Sequence, residues 1–355
     1  MRSPKKKPFS SARKCSKFKV TNWSEYNNIL RNRGRIDFMI AEDLSDGWYE
    51  DNSGYRSRGG QKVYSDKAIF MCLQLRYLFG LKLRQSQGFI NWIFMISGLP
   101  LTCPDYTTLS KRGKKLNLES LLNNQDKDFD YLCMDSTGIQ TYTGNEWLEN
   151  KHGKQYIRRT WKKLHIAVGN DGIITGATTT EHNKDDRSQV KELLKDVKTK
   201  EVLADPGYDG ENIYQLLRAR GIKPTIRPPN HLAARKAETE RQQNAEYQRK
   251  KGYHAWRNKN KYGRRELVEN SFCRFKNSFG SKFLSRNEDN MKNEMKIKCQ
   301  LLNKMFEIGK PISVRIRYYS GLKILELICS ISNFLFSKII HDFILIKLNL
   351  CKIIT

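Results

Sequence analysis

The sequence lacks the cysteine and histidine spacings that mark zinc sites and disulfide frameworks. Its eight cysteines are scattered without a CxxC pair, and its six histidines form no HxxxH motif. These absences argue against a structural zinc ion and against a secreted, disulfide-linked fold. We therefore expect reduced thiols in a cytoplasmic protein, with Cys133 and Cys273 buried in apolar surroundings as core thiols.

Long hydrophobic runs are also missing. The apolar stretch Leu327–Ser337 is flanked by Glu326 and Lys338, so it falls short of the ~18 apolar residues that a membrane span needs. The basic segment Met1–Lys19 has no apolar region of the kind found in secretory signals. We expect no membrane partner, and we interpret residues 311–355 as an atypical apolar tail that forms a partner helix or a core helix.

Acidic residues are scarce relative to basic ones. Lysine and arginine number 65 against 37 acids, which gives a formal net charge of +28. An excess of this size favours a polyanionic partner, and nucleic acid is the commonest one, although a membrane surface or a ribosome would explain the charge equally well. The lysines at positions 5–7 suit a flexible arm that contacts phosphates.

Helical periodicity begins after an irregular region that covers residues 1–60. Ser65 is placed to cap a first helix, a second is predicted over Arg84–Ile96, and a third opens near Asp105 and carries Lys111 and Arg112. Three short helices that end in a small, polar, basic one fit a helix-turn-helix-like DNA-binding module over 61–127, with 113–127 as a linker. An ordinary helical bundle remains the alternative.

Strand-like patterns follow from residue 128. The predicted strands alternate with helices in the order β-β-β-α-β-α-β, which is typical of an α/β sheet that starts with a hairpin at Gly169–Gly172. Asp135 and Asp205 are predicted at the C-terminal ends of their strands, where α/β enzymes place chemistry. The strands and helices are predicted over Phe129–Ile139, Trp161–Val168, Ile173–Thr180, Arg187–Val197 (helix), Glu201–Ala204, Glu211–Arg220 (helix) and Ile222–Arg227.

A basic insertion over residues 230–261 interrupts this rhythm. It interleaves cations such as Lys250 and Lys251 with aromatic residues such as Trp256. Cations alternating with aromatics suit a nucleic-acid backbone and unstacked bases. A solvated helix or a disordered loop is the alternative reading of this segment.

The stretch from Tyr262 to Lys276 contains no proline and has helical spacing. Arg265, Glu269 and Lys276 follow Tyr262 at i+3, i+7 and i+14, so all four share one face of a continuous helix. A second, apolar stripe is predicted to be buried and consists of Val268, Phe272, Phe275 and Phe279. The alternative is a surface helix with intrahelical ion pairs.

Three carboxylates on these elements form a candidate metal site. Asp135 and Asp205 come from strand ends and Glu269 from the helix, and Gly207 permits a sharp turn beyond Asp205. Hard divalent cations need oxygen ligands, and three carboxylates are able to hold the paired ions of a two-metal site. We expect the nearby acids Asp185, Asp186 and Asp209 to lie outside the ligand set.

The same residues carry a family resemblance. The helix matches the pattern Tyr-x2-Arg-x3-Glu-x6-Lys, and MDSTGI at 134–139 and ADPGYD at 204–209 accompany it. Over about 65–305 the chain resembles DDE transposases of bacterial insertion sequences, and the helical-module stretch RQSQGF…LPLTCPDYTTLSKR is part of that resemblance. This implies a ribonuclease-H-like catalytic domain with Asp135, Asp205 and Glu269 as its triad.

The resemblance also implies a reaction and its partners. The triad would use two Mg²⁺ or Mn²⁺ ions for cleavage and strand transfer at terminal inverted repeats of double-stranded DNA. Tyr262, Arg265 and Lys276 would contact the transposon end, and the protein would act on the nucleoid as a homodimer. The catalytic domain is predicted over 128–310. Two alternatives stay open: an inactive copy that only binds DNA, and a nuclease that hydrolyses without strand transfer.

Overall fold

A computed structural model describes residues 18–35, 45–51, 61–122, 127–141, 161–229 and 238–316. The predicted phosphate-contacting arm at residues 5–7 and nearly all of the apolar tail lie outside these ranges. The chain divides into two compact units, one formed by residues 1–30 and 310–355 and the other by residues 31–309.

The helices and strands are numbered here in chain order. They are β1 Phe18–Val20, α1 Trp23–Asn32, α2 Asp66–Leu78, α3 Leu83–Ile96, α4 Tyr106–Gly113, β2 Asp128–Phe129, β3 Leu132–Gln140, β4 Trp161–Gly169, β5 Ile174–Glu181, α5 Val190–Leu193, β6 Lys198–Thr199, β7 Glu201–Ala204, α6 Glu211–Ala219, β8 Lys223–Ile226, α7 Glu240–Lys251, α8 Tyr253–Lys259, α9 Glu266–Phe279, α10 Glu288–Glu307 and β9 Ser313–Arg315. Short 3₁₀ helices cover Asp186–Gln189, Pro206–Tyr208 and Tyr262–Arg265.

The first unit contains a small antiparallel ribbon. β1 pairs with β9, so that Lys19 lies opposite Val314. The amide of Thr21 extends this pairing by donating to the carbonyl of Ile312 at 2.8 Å. No element was predicted here, and α1 was also missed, because these segments bury too few apolar residues to produce a clear period.

The three predicted helices of residues 61–127 are confirmed as α2, α3 and α4. The Ser65 hydroxyl accepts from the amide of Ala68 at 3.2 Å, so this cap forms as predicted. The Asp105 carboxylate also caps its helix, by accepting from the amide of Thr107 at 2.8 Å. The core of these helices continues into α10, whose Ile297 and Leu301 belong to it. Residues on both sides of the predicted boundary at 127/128 therefore belong to one compact unit.

A five-stranded sheet lies at the centre of the second unit, in the order β5-β4-β3-β7-β8. β4 runs antiparallel to β3 and β5, whereas β7 and β8 run parallel to β3. The hairpin predicted at Gly169–Gly172 joins β4 to β5, and Gly172 adopts a φ of 91° there. A positive φ is the conformation that favours glycine.

Alternating side chains of each strand are buried against different helices. Cys133 of β3 and Leu203 of β7 face α9 and α10, where they join the predicted apolar stripe of α9. Leu132 and Met134 face the opposite side and pack with α5 and α6. This alternation determines that Asp135 and Asp205, each two residues beyond Cys133 and Leu203, lie on the α9 side of the sheet.

Several predicted boundaries are wrong. The strand predicted over Phe129–Ile139 is observed as β2 and β3, and Asp135 does not lie at its end, because β4 pairs with β3 along its full length to Gln140. The helix predicted over Arg187–Val197 is only a 3₁₀ turn followed by the four-residue α5. Cys133 is buried as expected, whereas Cys273 is exposed on α9. No helix in the described ranges is long and apolar enough to cross a membrane.

Candidate active site

Asp135 and Asp205 lie side by side on neighbouring strands. Met134 is the last residue of β3 that pairs with β7, and it lies opposite Ala204, the last residue of β7. The aspartates are the next residues in the chain, so both carboxylates lie where the parallel pairing ends. Asp205 thus follows the end of a strand as predicted, whereas Asp135 lies within β3, opposite Ile166 of β4.

Burial and mutual repulsion act on both aspartates. Burial raises the pKa of Asp135, and the charge of Arg265 offsets part of this effect. Burial likewise raises the pKa of Asp205, and the nearby charge of Asp135 raises it further. Two partly buried like charges of this kind are stabilised in their ionised form by a cation between them.

Arg265 supplies a cation beside Asp135, and its charge also opposes the rise in the pKa of Asp205. One guanidinium nitrogen donates to Asp135 at 2.6 Å, and another donates to Glu269. The arginine side chain is 19% exposed, whereas that of Glu269 is 54% exposed. Arg265 therefore bridges the sheet and α9, and Glu269 is the member of the predicted triad that is held least firmly.

The turn that carries Arg265 is not the start of a continuous α-helix. Tyr262–Arg265 forms a 3₁₀ turn, and α9 begins only at Glu266. Tyr262 is buried, donates from its hydroxyl to the carbonyl of Ala204 at 2.9 Å, and packs its ring 5.0 Å from that of Trp256. The predicted common face of Tyr262, Arg265, Glu269 and Lys276 is therefore wrong for Tyr262, which anchors the turn to the end of β7.

A second arginine strengthens the same anchorage. Arg264 forms an ion pair with the buried Glu201 at the start of β7, at 2.7 Å, and lies over the ring of Tyr131 at 4.6 Å. The Cys133 thiol contacts the Arg264 carbonyl at 3.5 Å. Because both neighbouring strands hold the turn, Arg265 is positioned beside Asp135 by the fold rather than by its own ion pairs alone.

Asp186 lies at the edge of this cluster. It pairs with Lys163 at 2.6 Å and accepts from the hydroxyl of Ser136 at 3.0 Å. Its charge contributes to the raised pKa of Asp205. Asp185 and Asp209 pair instead with Arg187 and Arg241. The sequence did not distinguish Asp186 from these two acids, because its position depends on the turn after β5.

Gly207 fits its position for a reason other than the predicted one. Its φ is not positive, so residues other than glycine are able to adopt its backbone conformation. Its amide donates to Asp205 at 3.0 Å, and a Cβ at this position would lie 3.1 Å from an Asp205 oxygen and 3.3 Å from an Asp186 oxygen. A side chain here would have to push one of these two carboxylates away by a few tenths of an ångström.

His165 of β4 lies opposite Ser136 of β3 and near Asp186, and it was missed in the sequence. It is fully buried between the hydroxyl of Tyr208, at 3.3 Å, and that of Thr180, at 2.8 Å. Burial lowers the pKa of His165 to about 4, although the charge of Asp186 opposes this shift. The imidazole is therefore neutral at physiological pH, and it serves as a hydrogen-bonded packing residue.

The remaining predicted DNA contacts differ in their exposure. Lys111, Lys250 and Lys251 are exposed, and Lys276 is half-buried on α9. Arg112 is turned inward and pairs with Asp66.

Trp256 is 1% exposed and packs in the core, so it does not present a ring to bases as predicted. Trp256 instead packs α8 against α7 and the Tyr262–Arg265 turn.

The three carboxylates are suited to a hard divalent cation, but Arg265 pairs with two of them, Asp135 and Glu269. Carboxylate oxygens are the ligands that Mg²⁺ and Mn²⁺ prefer. In the part of the chain that the structure describes, no three acidic, histidine or cysteine side chains converge closely enough to hold a metal ion. Asp135 and Asp205 meet the chemical requirement, and Glu269 joins them only if its contact with Arg265 is released.

The sequence matches models of known protein families. Two family models, both described as a transposase DDE domain, match the chain over residues 31–144 and 127–304. The second match alone covers half of the 355 residues, and it contains the strands and the helix that carry Asp135, Asp205 and Glu269. Members of this family usually use divalent metal ions. The chain belongs to the DDE transposase family.

Proposed function

We propose that the protein is a transposase that binds the terminal inverted repeats of an insertion sequence and catalyses DNA cleavage and strand transfer. The observation that carries this proposal is the side-by-side position of Asp135 and Asp205, with Glu269 linked to Asp135 through Arg265. The net charge of +28 supports double-stranded DNA as the substrate.

We also propose a ribonuclease-H-like catalytic domain preceded by a helix-turn-helix-like module. The sheet order β5-β4-β3-β7-β8, with three antiparallel strands followed by two parallel ones, supports the first part. Helices α2, α3 and α4, with Lys111 exposed near the end of α4, support the second. Pairing two transposon ends needs two active sites, so the DNA complex is proposed to contain a homodimer.

Asp135, Asp205 and Glu269 would hold two Mg²⁺ or Mn²⁺ ions. Bound there, the ions would promote in-line attack of water, and later of a 3′-hydroxyl, on a phosphodiester and would stabilise the leaving oxygen. Arg265 is able to transfer its hydrogen bonds from carboxylates to a phosphate, since a guanidinium pairs with either. Lys276 lies two helical turns beyond Glu269 and would contact the flanking phosphates.

Cleavage of a duplex that carries the element's own terminal repeat tests this function. We expect nicking at the repeat boundary in Mg²⁺, none in EDTA, and loss of nicking in Asp135→Asn. Asp130→Asn is a matched control, because Asp130 is an exposed aspartate that pairs only with Lys200 among the described residues. It should cleave like the wild type.

The same assay separates the alternatives. Metal-dependent nicking without joined product would identify a nuclease that only hydrolyses. Specific binding to the repeat without nicking would identify an inactive DNA-binding copy. Wild-type cleavage by Asp135→Asn would remove Asp135 from the site.

A further inference from the structure

A basic cavity lies in the same unit as the candidate active site and shares no residue with it. It is a cavity of about 690 Å³ between α2, α3, α4 and the segment that precedes α10. Five cationic side chains line it, and no acidic residue is found among its described lining residues; the cations are Arg76, Lys82, Arg84, Lys114 and Arg286. A lining of one charge sign, within the size range of ligand pockets, selects an anion.

Arg76 provides the most specific evidence, because it is only 4% exposed. One guanidinium nitrogen donates to the carbonyl of Leu284 at 3.2 Å, whereas its Nε has no hydrogen-bond partner in the described structure. A buried cation with an unsatisfied donor is costly unless an anion compensates it.

The neighbouring buried carboxylate, Glu294, already has its own partners and does not pair with Arg76. Glu294 is fully buried, pairs with Lys298 at 2.6 Å, and accepts from the amides of Leu284 and Ser285. The buried charges beside the cavity are therefore Arg76 and Lys298 against Glu294 alone. One positive charge is left without a carboxylate partner among the described side chains.

Arg84 is held in an orientation that suits phosphate. Its guanidinium lies 4.6 Å from the centre of the Tyr106 ring and donates to the Tyr106 hydroxyl at 3.4 Å. A guanidinium fixed on an aromatic face loses little entropy when it forms a bidentate pair with an oxyanion. Lys82, one helix position before α3 begins, is exposed beside it.

We propose that this cavity binds the phosphodiester backbone of the DNA substrate, at a position separate from the three carboxylates. The inference rests on the proposed DNA-directed function and extends it. A strand in the cavity would contact the helical module through Arg84 and the segment between α9 and α10 through Arg286. Neither residue was identified in the sequence, because they are 202 positions apart in the chain.

The test compares two double variants of the full chain in metal-free buffer with EDTA, which separates binding from cleavage. Lys82→Gln/Arg84→Gln removes two cavity cations. Lys191→Gln/Lys198→Gln removes two exposed lysines outside the cavity lining and is the matched control. The dissociation constant for duplex DNA is measured at several salt concentrations for both variants and the wild type.

Each lost phosphate contact lowers the slope of log affinity against log salt by about 0.9. For the cavity variant, the magnitude of this slope should therefore be smaller by about 1.8. Its affinity at 0.1 M salt should be lower by at least about tenfold. The control should keep the wild-type slope. All four substituted residues are exposed, so thermal unfolding should be unchanged and a lost slope is not a folding defect.

Equal losses in both variants, or an unchanged slope in the cavity variant, would overturn the inference. If the wild type nicks the repeat while the cavity variant keeps its slope, the cavity assignment fails and the proposed function stands. A wild type that binds no DNA would overturn both.

Discussion

At the scale of single residues, Arg265 decides how the candidate site is arranged. It contacts Glu269 on α9 and also Asp135 on β3, which lies 130 residues from Arg265 in the chain. The sequence singled out all three side chains as candidate site residues, and the structure brings them into contact. It did not predict that the arginine would lie between the carboxylates, because that depends on the 3₁₀ turn in front of α9.

The space around Gly207 gives the first residue-scale prediction. In Gly207→Ala the new methyl group must displace Asp205 or Asp186 by a few tenths of an ångström. We expect a loss of no more than about 1 kcal/mol in the free energy of unfolding but at least about tenfold slower cleavage, since small displacements of positioned groups are costly.

Gly88→Ala is the matched control, measured by denaturant unfolding and by the same cleavage assay. Gly88 lies within α3 and a Cβ there meets no atom within 4 Å. This variant should gain roughly 0.5–1 kcal/mol of stability and cleave normally. Normal cleavage by Gly207→Ala would show that the contact is not critical.

Buried His165 makes the stability depend on pH. Its pKa is lowered from 6.5 to about 4 in the folded protein, so the unfolded chain binds a proton first as the pH falls. The contribution is fully present above pH 6.5 and is lost between there and about pH 4; each pKa unit corresponds to about 1.4 kcal/mol. His165→Gln should flatten the pH dependence of the free energy of unfolding in this window.

His182→Gln is the control for this measurement, because His182 is exposed. The raised pKa values of Asp135 and Asp205 act with the opposite sign, since these groups bind protons more readily in the folded state. An unchanged pH profile in His165→Gln would contradict the buried, neutral imidazole.

At the scale of elements, prediction from sequence succeeded where a segment is buried and bounded by turn residues. The strand Glu201–Ala204 and the hairpin at Gly169–Gly172 have the predicted positions. It failed where tertiary contacts override the local pattern: pairing with β4 extends β3 past Asp135, and packing turns Trp256 and Tyr262 into the core. The composition of a segment does not show which side of a helix will be covered.

The docking of the turn Tyr262–Arg265 is testable at this scale. Tyr262→Phe removes the hydrogen bond to the buried Ala204 carbonyl, which keeps only the longer bond from the Arg227 amide at 3.4 Å. We expect a loss of roughly 1–2 kcal/mol in unfolding free energy. Cleavage should fall as well, because Arg265 and Glu269 depend on this turn for their position.

Tyr247→Phe is a comparable control, since Tyr247 is half-buried on α7 and its ring packs against Lys259 at 4.1 Å. The two variants are compared by denaturant unfolding and by cleavage. Equal stability and activity for Tyr262→Phe and the wild type would show that the hydrogen bond does not hold the turn.

At the scale of the whole molecule, the helical module and the sheet domain are joined by a common helix. α10 contributes Ile297 and Leu301 to the core of α2–α4 and Met295 and Leu302 to the core beneath the sheet. The sequence predicted two domains from the change in periodicity near residue 128. Periodicity reveals the type of each element but not which elements bury their faces together.

A fragment of residues 128–310 should therefore not fold cooperatively by itself. Without α2–α4 it would expose the half of α10 that now packs in their core. We expect dye binding to exposed apolar surface and a broad thermal transition, whereas a fragment of residues 31–310 should unfold in one sharp transition. A sharp, dye-free transition in the shorter fragment would favour two independent domains.

The central claim is that Asp135, Asp205 and Glu269 form one catalytic site, and Glu269 is its least secured member. Glu269→Gln keeps the shape of the side chain and removes its charge. The decisive measurement is binding and nicking of the terminal-repeat duplex by this variant in Mg²⁺. We predict wild-type affinity with cleavage reduced at least about a thousandfold, as for loss of a group that stabilises the transition state. Cleavage at the wild-type rate would contradict the assignment.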